Sequence, residues 1–352
     1  MKSWVEFIDL KFLRPAGTSR GVLHSKPSWI LHLNHGDITG KGEISIIQGL
    51  SPEFSDQISF ENKIEEVILA LNSGACHPVE GIDPLFLESL QYFPSILFGL
   101  ETAWLDFKNG GKGIHFDNAF SRAEQKISIN GLVWMGTPEF MKEQIDQKLK
   151  AGFTTIKMKI GAIDLESELA ILRSIRENFT SRQLKLRVDA NGAFTKSETK
   201  QLLQQLAELE VHSIEQPIPA GNWANMKDLC KSTAVPIALD EELIGIHLTD
   251  QKIELLETIQ PQYIILKPSL HGGISGTQEW IQLAEEQHIP WWMTSALESN
   301  IGLNAICQFT AQYNNLLPQG LGTGSLYSNN FESDLLVKDG YIMMQPKPMG
   351  VG

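Results

Sequence analysis

Basic residues are scarce beside acidic ones in this sequence: 29 Lys and Arg stand against 42 Asp and Glu, a formal net charge of −13. A surface of that sign repels phosphate backbones and anionic headgroups, so neither nucleic acid nor a membrane surface is an expected partner. Cysteine is scarce as well. Cys76, Cys230 and Cys307 are odd in number, far apart and without metal-type spacing, which argues against a disulfide framework or a zinc site and fits a reducing compartment. No apolar run reaches the length of a membrane span or a signal-peptide core, and the first dozen residues carry Lys2, Glu6, Asp9 and Lys11. A cytoplasmic protein is expected. Low-complexity tracts are missing too. With 42% apolar residues in 352, the chain can bury a large core, enough for a barrel with an accessory part.

What is there falls into two patterns. Residues 4–13, 28–34 and 40–46 read as strands, the last two joined by a turn at His35, Gly36 and Asp37. The period then changes: Ile64, Val67, Ile68 and Leu71 share a helical face, and a helix with Pro94 in its first turn is expected to about residue 107. Strands followed by helices indicate an α+β module. From about residue 127, short apolar strands alternate with amphipathic helices. Strands are expected at 127–134, 154–160, 184–188, 211–214, 236–239, 263–266, 290–294 and 320–322. Between them lie helices such as 138–150, where Met141, Ile145 and Leu149 share a face, and 198–209, where Leu202, Leu206 and Leu209 do. Eight strands with helical crossovers indicate an α/β fold of the TIM-like (β/α) barrel type; a doubly wound open sheet is the alternative.

Charged residues recur where these strands end: Lys157 and Lys159, Asp189, Glu215, Asp240 with Glu241, and Lys267. The steps from Asp189 to Glu215, to Asp240 and to Lys267 are 26, 25 and 27 positions, each the length of one βα unit. Parallel barrel strands end on one mouth, so the three carboxylates can meet around a single ion while lysines approach from either side. Singly, each has a plain explanation: a turn residue, a solvated rim charge, the polar face of a strand. Jointly that account fails, because burying so many charges near one mouth without pairing or metal costs several kcal/mol per ion. Three carboxylates without His or Cys are hard ligands that select Mg²⁺, or Mn²⁺, over zinc. An ion with open positions neutralises a substrate carboxylate and stabilises the enediolate left when the α-proton departs. Lys159, beside that ion and Lys157, is placed to serve as the base.

These elements resemble the enolase superfamily, muconate-lactonising subgroup, across nearly the whole chain. The resemblance is carried by Lys157-Met158-Lys159, Val188-Asp189-Ala190-Asn191-Gly192, Ile214-Glu215-Gln216-Pro217, Ala238-Leu239-Asp240-Glu241 and Leu266-Lys267-Pro268. It implies a modified (β/α)7β barrel over residues 116–325, an α+β cap over 1–115 and a C-terminal segment, 326–352, returning to the cap. It also implies Asp189, Glu215 and Asp240 as metal ligands, Lys159 as base on one face of the substrate, Lys267 on the other, and Glu241 restraining a ligand or a lysine. Gly42-Glu43-Ile44-Ser45 with Gly49-Leu50-Ser51-Pro52, and the stretches 94–105 and 129–136, are similar to the o-succinylbenzoate synthase branch of the family. Residues 17–21, with Arg20, resemble its substrate-covering loop. The implied reaction is syn dehydration of a cyclohexadiene carboxylate in menaquinone biosynthesis, by a monomer or homo-oligomer acting on a small-molecule carboxylate. Arg187, Asn191, Ser295 and Thr323 are expected at the same mouth as substrate contacts or as structural strand-end polar groups. Residues 320–324 lack the Asp-x-Asp that dipeptide epimerases place there to hold an ammonium; they also lack the Asp before Thr323 found in some synthases, where this chain has Gly322. An N-acylamino acid racemase is the nearest rival, and a non-catalytic barrel scaffold the remote one.

Overall fold

The computed structural model describes residues 1–18, 21–161 and 164–346. Strands β1 (Lys2–Thr18), β2 (Gly21–His35) and β3 (Ile38–Ser45) form an antiparallel sheet, followed by α1 (Gln57–Ala70), the short pair β4 (Cys76–His77) and β5 (Gly81–Ile82), α2 (Pro84–Ser89) and α3 (Pro94–Lys108). Period-2 alternation gives β3 two faces with different tasks. Gly40, Gly42 and Ile44 face α3, and the backbones come so close that a Cβ on Gly42 would lie 1.9 Å from the Gly99 carbonyl. Lys41, Glu43 and Ser45 point the other way, and Glu43 reaches the barrel.

Beyond the cap come β6 (Lys126–Ser128), β7 (Gly131–Val133), α4 (Pro138–Lys150), β8 (Thr155–Lys159), α5 (Leu165–Asn178), β9 (Lys185–Asp189), α6 (Lys196–Glu208) and β10 (Ser213–Glu215). Then follow α7 (Trp223–Ser232), β11 (Ile237–Leu239), α8 (Thr249–Ile259), β12 (Tyr263–Leu266), α9 (Gly273–Glu286), β13 (Trp291–Met293), α10 (Asn300–Thr310), β14 (Leu335–Lys338) and β15 (Tyr341–Met344). Strands β7 to β13 are neighbours in chain order in one parallel sheet. The curl closes through residues 319 and 320: Gln319 bridges Ile129 on one side and Gly320 bridges Thr294 on the other, both parallel. The barrel expected from the βα repetition is the observed fold, and the expected eighth strand is this two-bridge seam. Several helices begin at side-chain caps, Thr137, Asp164, Asn222 and Ser299 among them, and Thr195 with Glu198 forms a capping box on α6.

Two expectations need correction. The single strand at 127–134 is two, because Asn130 donates its N–H to Gln319 and the chain turns there. β6 pairs antiparallel with β15, whereas β7 joins the barrel. The C-terminal segment also divides. Residues near Tyr327 return to the cap, with Leu13 N donating to the Leu326 carbonyl and Ser328 N to that of Lys11, but the hairpin β14–β15 pairs with β6 rather than with the cap.

Cap and barrel are joined by acids set against helix N-termini. Glu43, fully buried, accepts from the Ser299 N–H (2.9 Å), the Ser299 hydroxyl and the Gly302 N–H (3.1 Å) at the start of α10. Glu101 of α3 accepts from Ile274 N (2.6 Å) at the start of α9. Each carboxylate meets free backbone donors and the positive end of a helix dipole.

Two outcomes are expected. Gly42→Ala forces α3 away from β3 and lowers stability by about 1–3 kcal/mol, seen as a drop in the urea midpoint. His115, buried where cap meets barrel, is pushed down to about 4 by burial. An unfolded His takes up a proton near 6.5 and the folded one only near 4, so the stability it contributes is complete above about 6.5 and is lost as pH falls toward 4. Melting temperature should rise with pH between about 4 and 6.5, and His115→Leu should flatten that rise; an unchanged slope would refute the assignment.

Candidate active site

The charged ladder closes at one mouth. In strand order, Lys159 sits at the end of β8, Asp189 and Glu215 end β9 and β10, Asp240 follows β11 and Lys267 follows β12. Three carboxylates on adjacent strands are thus flanked by a lysine on either side. Register explains their height: Lys159 and Glu215 both pair with Asp189. Lys157 pairs with Arg187, one layer deeper, and its long stem climbs back to the carboxylates.

Lys157 Nζ lies 2.8 Å from Asp189 Oδ2 and 2.5 Å from Glu215 Oε2. Lys159 Nζ donates to Asp189 Oδ2 and to Asn191 Oδ1, both at 2.6 Å, and Lys267 Nζ donates to Asp240 Oδ2 at 2.5 Å. Asn191 in turn donates from Nδ2 to Glu241 Oε1 at 2.9 Å, so Glu241 holds the amide that holds Lys159. Asn191 sits at φ 43° and Gln216 at φ 38°, left-handed conformations immediately after the strand ends. Strain of this kind gathers where geometry is imposed by function.

Charge explains the rest. Burial opposes the ammonium of Lys157, but Asp189, Glu215 and Asp240 together outweigh it and raise its pKa. Burial also opposes the charge of Asp189, and Lys157 with Lys159 overcomes it, so that carboxyl is lowered. Asp240 is lowered in the same way by Lys267 and Lys157. Glu215 is the group left short: burial and then the neighbouring Asp189 push it well above the usual carboxylate range, with Lys157 compensating only in part. Glu215 Oε1 and Asp240 Oδ1 are buried acceptors with no hydrogen-bond partner among the described residues.

Two unpartnered buried carboxylate oxygens beside a third carboxylate fit a hard divalent cation, although the side chains as placed are gathered on lysines. Among the described residues no three His, Cys, Asp or Glu side chains stand ready-made around one point. Ammonium groups occupy the space between the acids, and an ion would need Lys157 to yield.

A cavity opens above this floor, with about 970 Å³ of empty space counting its open mouth. Lys157, Lys159, Asp189, Asn191, Lys267, Ser295 and Thr323 line it. Glu215 and Asp240 lie beneath, 3% and 0% exposed. Arg187, expected at the mouth, does not line the cavity. Alternation turns it inward a full layer below Asp189, where it donates to the Pro318 carbonyl at 2.7 Å and stacks 3.9 Å from the Trp292 ring. Arg20 lies outside the described residues. Sequence reasoning missed the apolar walls: Leu23, Ile47 and Leu50 from the cap, Leu132 and Trp134 from β7 and its end, and Leu297. Only the inward phase of β7 could have marked Leu132 and Trp134.

A sequence profile described as "Enolase C-terminal domain-like" matches residues 140–352. The chain belongs to the enolase superfamily. The members of this family depend on divalent metal ions. The chain is 47% identical over 355 aligned residues to an o-succinylbenzoate synthase of Desulfotalea psychrophila, covering 95% of this chain and 96% of that protein. The crystal structure of MenC from Desulfotalea psychrophila LSv54 superposes with a TM-score of 0.84 at 39% identity, over 98% of this chain and 99% of that one. An L-Ala-D/L-Glu epimerase of Bacillus subtilis is 30% identical over 186 residues, 52% of this chain and 50% of that protein. The capped barrel expected from the motifs is therefore both the observed fold and the family's. No helix among the described residues is long and apolar enough to cross a membrane.

If Glu215 is an ion ligand, Glu215→Gln should weaken binding of Mg²⁺ by about tenfold or more in calorimetric titration, as expected on losing a charged hard ligand. Equal affinity in the two proteins would exclude Glu215.

Proposed function

We propose that this chain is a Mg²⁺-dependent o-succinylbenzoate synthase, converting 2-succinyl-6-hydroxy-2,4-cyclohexadiene-1-carboxylate into o-succinylbenzoate and water within menaquinone biosynthesis in the cytoplasm. The observation that carries the reading is the likeness to a protein of that name along almost the full length of both chains, combined with two cavity-facing lysines on opposite sides of three carboxylates. Mn²⁺ is the alternative ion.

Asp189, Glu215 and Asp240 would hold the ion, which when bound neutralises the substrate carboxylate and the charge that develops on it. Lys159, as the free amine, removes the proton from the carbon bearing that carboxylate. Its Nζ is fixed from two directions by Asp189 and Asn191, which confines its approach. Lys267, held by Asp240, offers a cation to the enediolate from the other side. The C–O bond at the neighbouring ring carbon then breaks, its electron pair leaving with oxygen, and the Lys159 ammonium returns a proton to form water. The aromatic ring produced drives the step forward. Leu23, Ile47 and Leu50 of the cap cover the apolar ring and exclude solvent. Lys157 neutralises Asp189 and Glu215 from below, and Glu241 acts through Asn191.

Two opposed lysines also suit a racemase or epimerase, which moves a proton from one face to the other. Against a dipeptide epimerase stands the closing seam, which gives the cavity Gly320, Gly322 and Thr323 and no carboxylate to hold an ammonium.

Lys159→Ala should keep the circular dichroism and melting temperature of the parent while dehydration falls by about 10³-fold, in the range of a lost acid/base group. Turnover of the cyclohexadiene is followed directly as the aromatic product forms. A Lys159→Ala protein that stays active removes the base, and racemisation of N-succinyl amino acids without dehydration replaces the reading.

A further inference from the structure

The two lysines that flank the carboxylates are held by different means. Lys159 lies inside β8, where its main chain is paired with Asp189 of β9, so the sheet fixes the direction in which its side chain leaves. Lys267 lies one residue beyond β12, whose last ladder pair is Leu266 with Met293. Among the described residues no strand pairs with its main chain. A closed turn holds it instead. Pro268 brings no N–H of its own, Leu270 N and His271 N donate to the Lys267 carbonyl at 2.8 and 3.0 Å, and Gly273 N donates to that of Pro268 at 2.9 Å. Gly272 and Gly273, at φ 89° and 72°, then turn the chain into α9.

That turn leaves the Lys267 N–H over, and His271 takes it. In a helical turn the side chain of residue i+4 leans back over residue i, and His271 Nδ1 accepts from Lys267 N at 3.0 Å. Nδ1 can accept only while it carries no proton, so the ring is neutral with its hydrogen on Nε2. Burial enforces that state, pushing the pKa down to about 3. The residue is 3% exposed, and Nε2 has no hydrogen-bond partner among the described residues. A buried N–H left unpaired is destabilising. An aliphatic side chain would avoid it, but would leave the Lys267 N–H unpaired instead. For stability the two choices are nearly even; for Lys267 they are not.

Lys267 Nζ stands at the end of a long stem, so a small rotation of its main chain moves it far. Asp240, at 2.5 Å, fixes the tip, and the turn fixes the root. The turn is itself anchored on both flanks: Ser269 Oγ donates to the buried Glu298, and Ile274 N, just beyond, donates to Glu101 of the cap. Of these side chains, His271 is the one that bonds the main chain of Lys267 itself. We propose that His271 is a positioning residue for Lys267, its Nδ1 fixing the main chain from which the second lysine reaches the substrate. The inference rests on the synthase reading above, in which Lys267 offers its charge to the enediolate. That contact is strongest once charge has developed, so a misplaced ammonium lowers turnover rather than substrate affinity. A shift of about 1 Å is enough to lose about 10²-fold.

The test compares steady-state dehydration and thermal melting of the parent, His271→Leu, His271→Asn, Lys267→Ala and the double variant that joins Lys267→Ala to His271→Leu. His271→Leu should lower kcat by about 10- to 100-fold with KM within about twofold. Its melting temperature should move by no more than about 3 °C, because one unpaired donor replaces another. His271→Asn, whose Oδ1 falls where Nδ1 stood, should recover kcat to within about fivefold of the parent. In the Lys267→Ala background, His271→Leu should lower the residual rate by less than about twofold. A merely structural role would lower the melting temperature and add its full effect in that background. Parental kcat in His271→Leu, equal losses in the Leu and Asn variants, or full additivity in the double variant overturns the inference and spares the synthase reading. If Lys267→Ala has no measurable rate, the comparison of Leu with Asn decides; if His271→Leu does not fold, His271→Phe, a flat ring without an acceptor, takes its place. A parent inert toward the cyclohexadiene removes the synthase reading and this inference with it.

Discussion

Three carboxylates on adjacent strands of a barrel cannot all stay charged out of water unless cations are interleaved with them, and most of this molecule's architecture follows from that. Moving a carboxylate from water into a protein interior costs several kcal/mol even after relaxation. The chain meets the cost with Lys157 from a layer below and with Lys159 and Lys267 from either flank, each within hydrogen-bonding distance of an acid. The balance is deliberately incomplete. Glu215 remains the most strained acid of the set, pushed up by burial and by Asp189, and it keeps an oxygen without a partner. A site satisfied by its own lysines would have no affinity for a divalent ion. One that falls short by a carboxylate oxygen or two has a reason to take one.

The same constraint explains why so much of the site was legible in the sequence. Charges at strand ends, separated by one βα unit each, cannot be placed by chance without a common mouth, and the register of β8, β9 and β10 puts Lys159, Asp189 and Glu215 at one height. Arg187 was misplaced because spacing specifies a strand and a face but not a depth; two residues along a strand is one layer, and that layer is the barrel interior. The apolar ceiling was illegible for a different reason. Leu23, Ile47 and Leu50 lie far from the motifs in sequence and reach the site only through the docking of the cap, a tertiary event with no local periodicity. The strand at 127–134 failed on connectivity: its hydrophobic run is continuous, but Asn130 commits its backbone to the seam and divides the run between two sheets. The closing strand itself has only two bridges, too few for a pattern of alternating residues to announce.

Docking of the cap is the second place where buried charge organises structure. Glu43 and Glu101 leave the cap to meet the starts of α10 and α9, where helix N-termini supply donors that no residue within the helix can use. The alternation of β3 separates this polar task from the glycine face on which α3 rides. Lys26, 2% exposed, lies beside Glu43 and hydrogen-bonds Ser28 and Ser45, so the interface carries its own ion pair. A non-directional apolar interface would allow the cap to slide; donors fixed on helix ends hold it in one orientation, and with it the leucines and isoleucine that roof the cavity.

The two halves of the cavity therefore differ in kind. On the side of β8 to β12, ammonium groups face the ligand and draw anions to one point. On the side of β7, the seam and β13, Leu132, Trp134 and Leu297 line the cavity beside the neutral Thr323, and no ammonium group among the described residues does. A symmetric polar pocket would let a dicarboxylate bind in either direction, because each end would find donors. Here the ammonium groups stand on one side only, so a carboxylate finds no competing cation among the described residues of the far wall. Orientation of a ligand over Lys159 then follows from charge on one side of the barrel mouth set against apolar and neutral groups on the other.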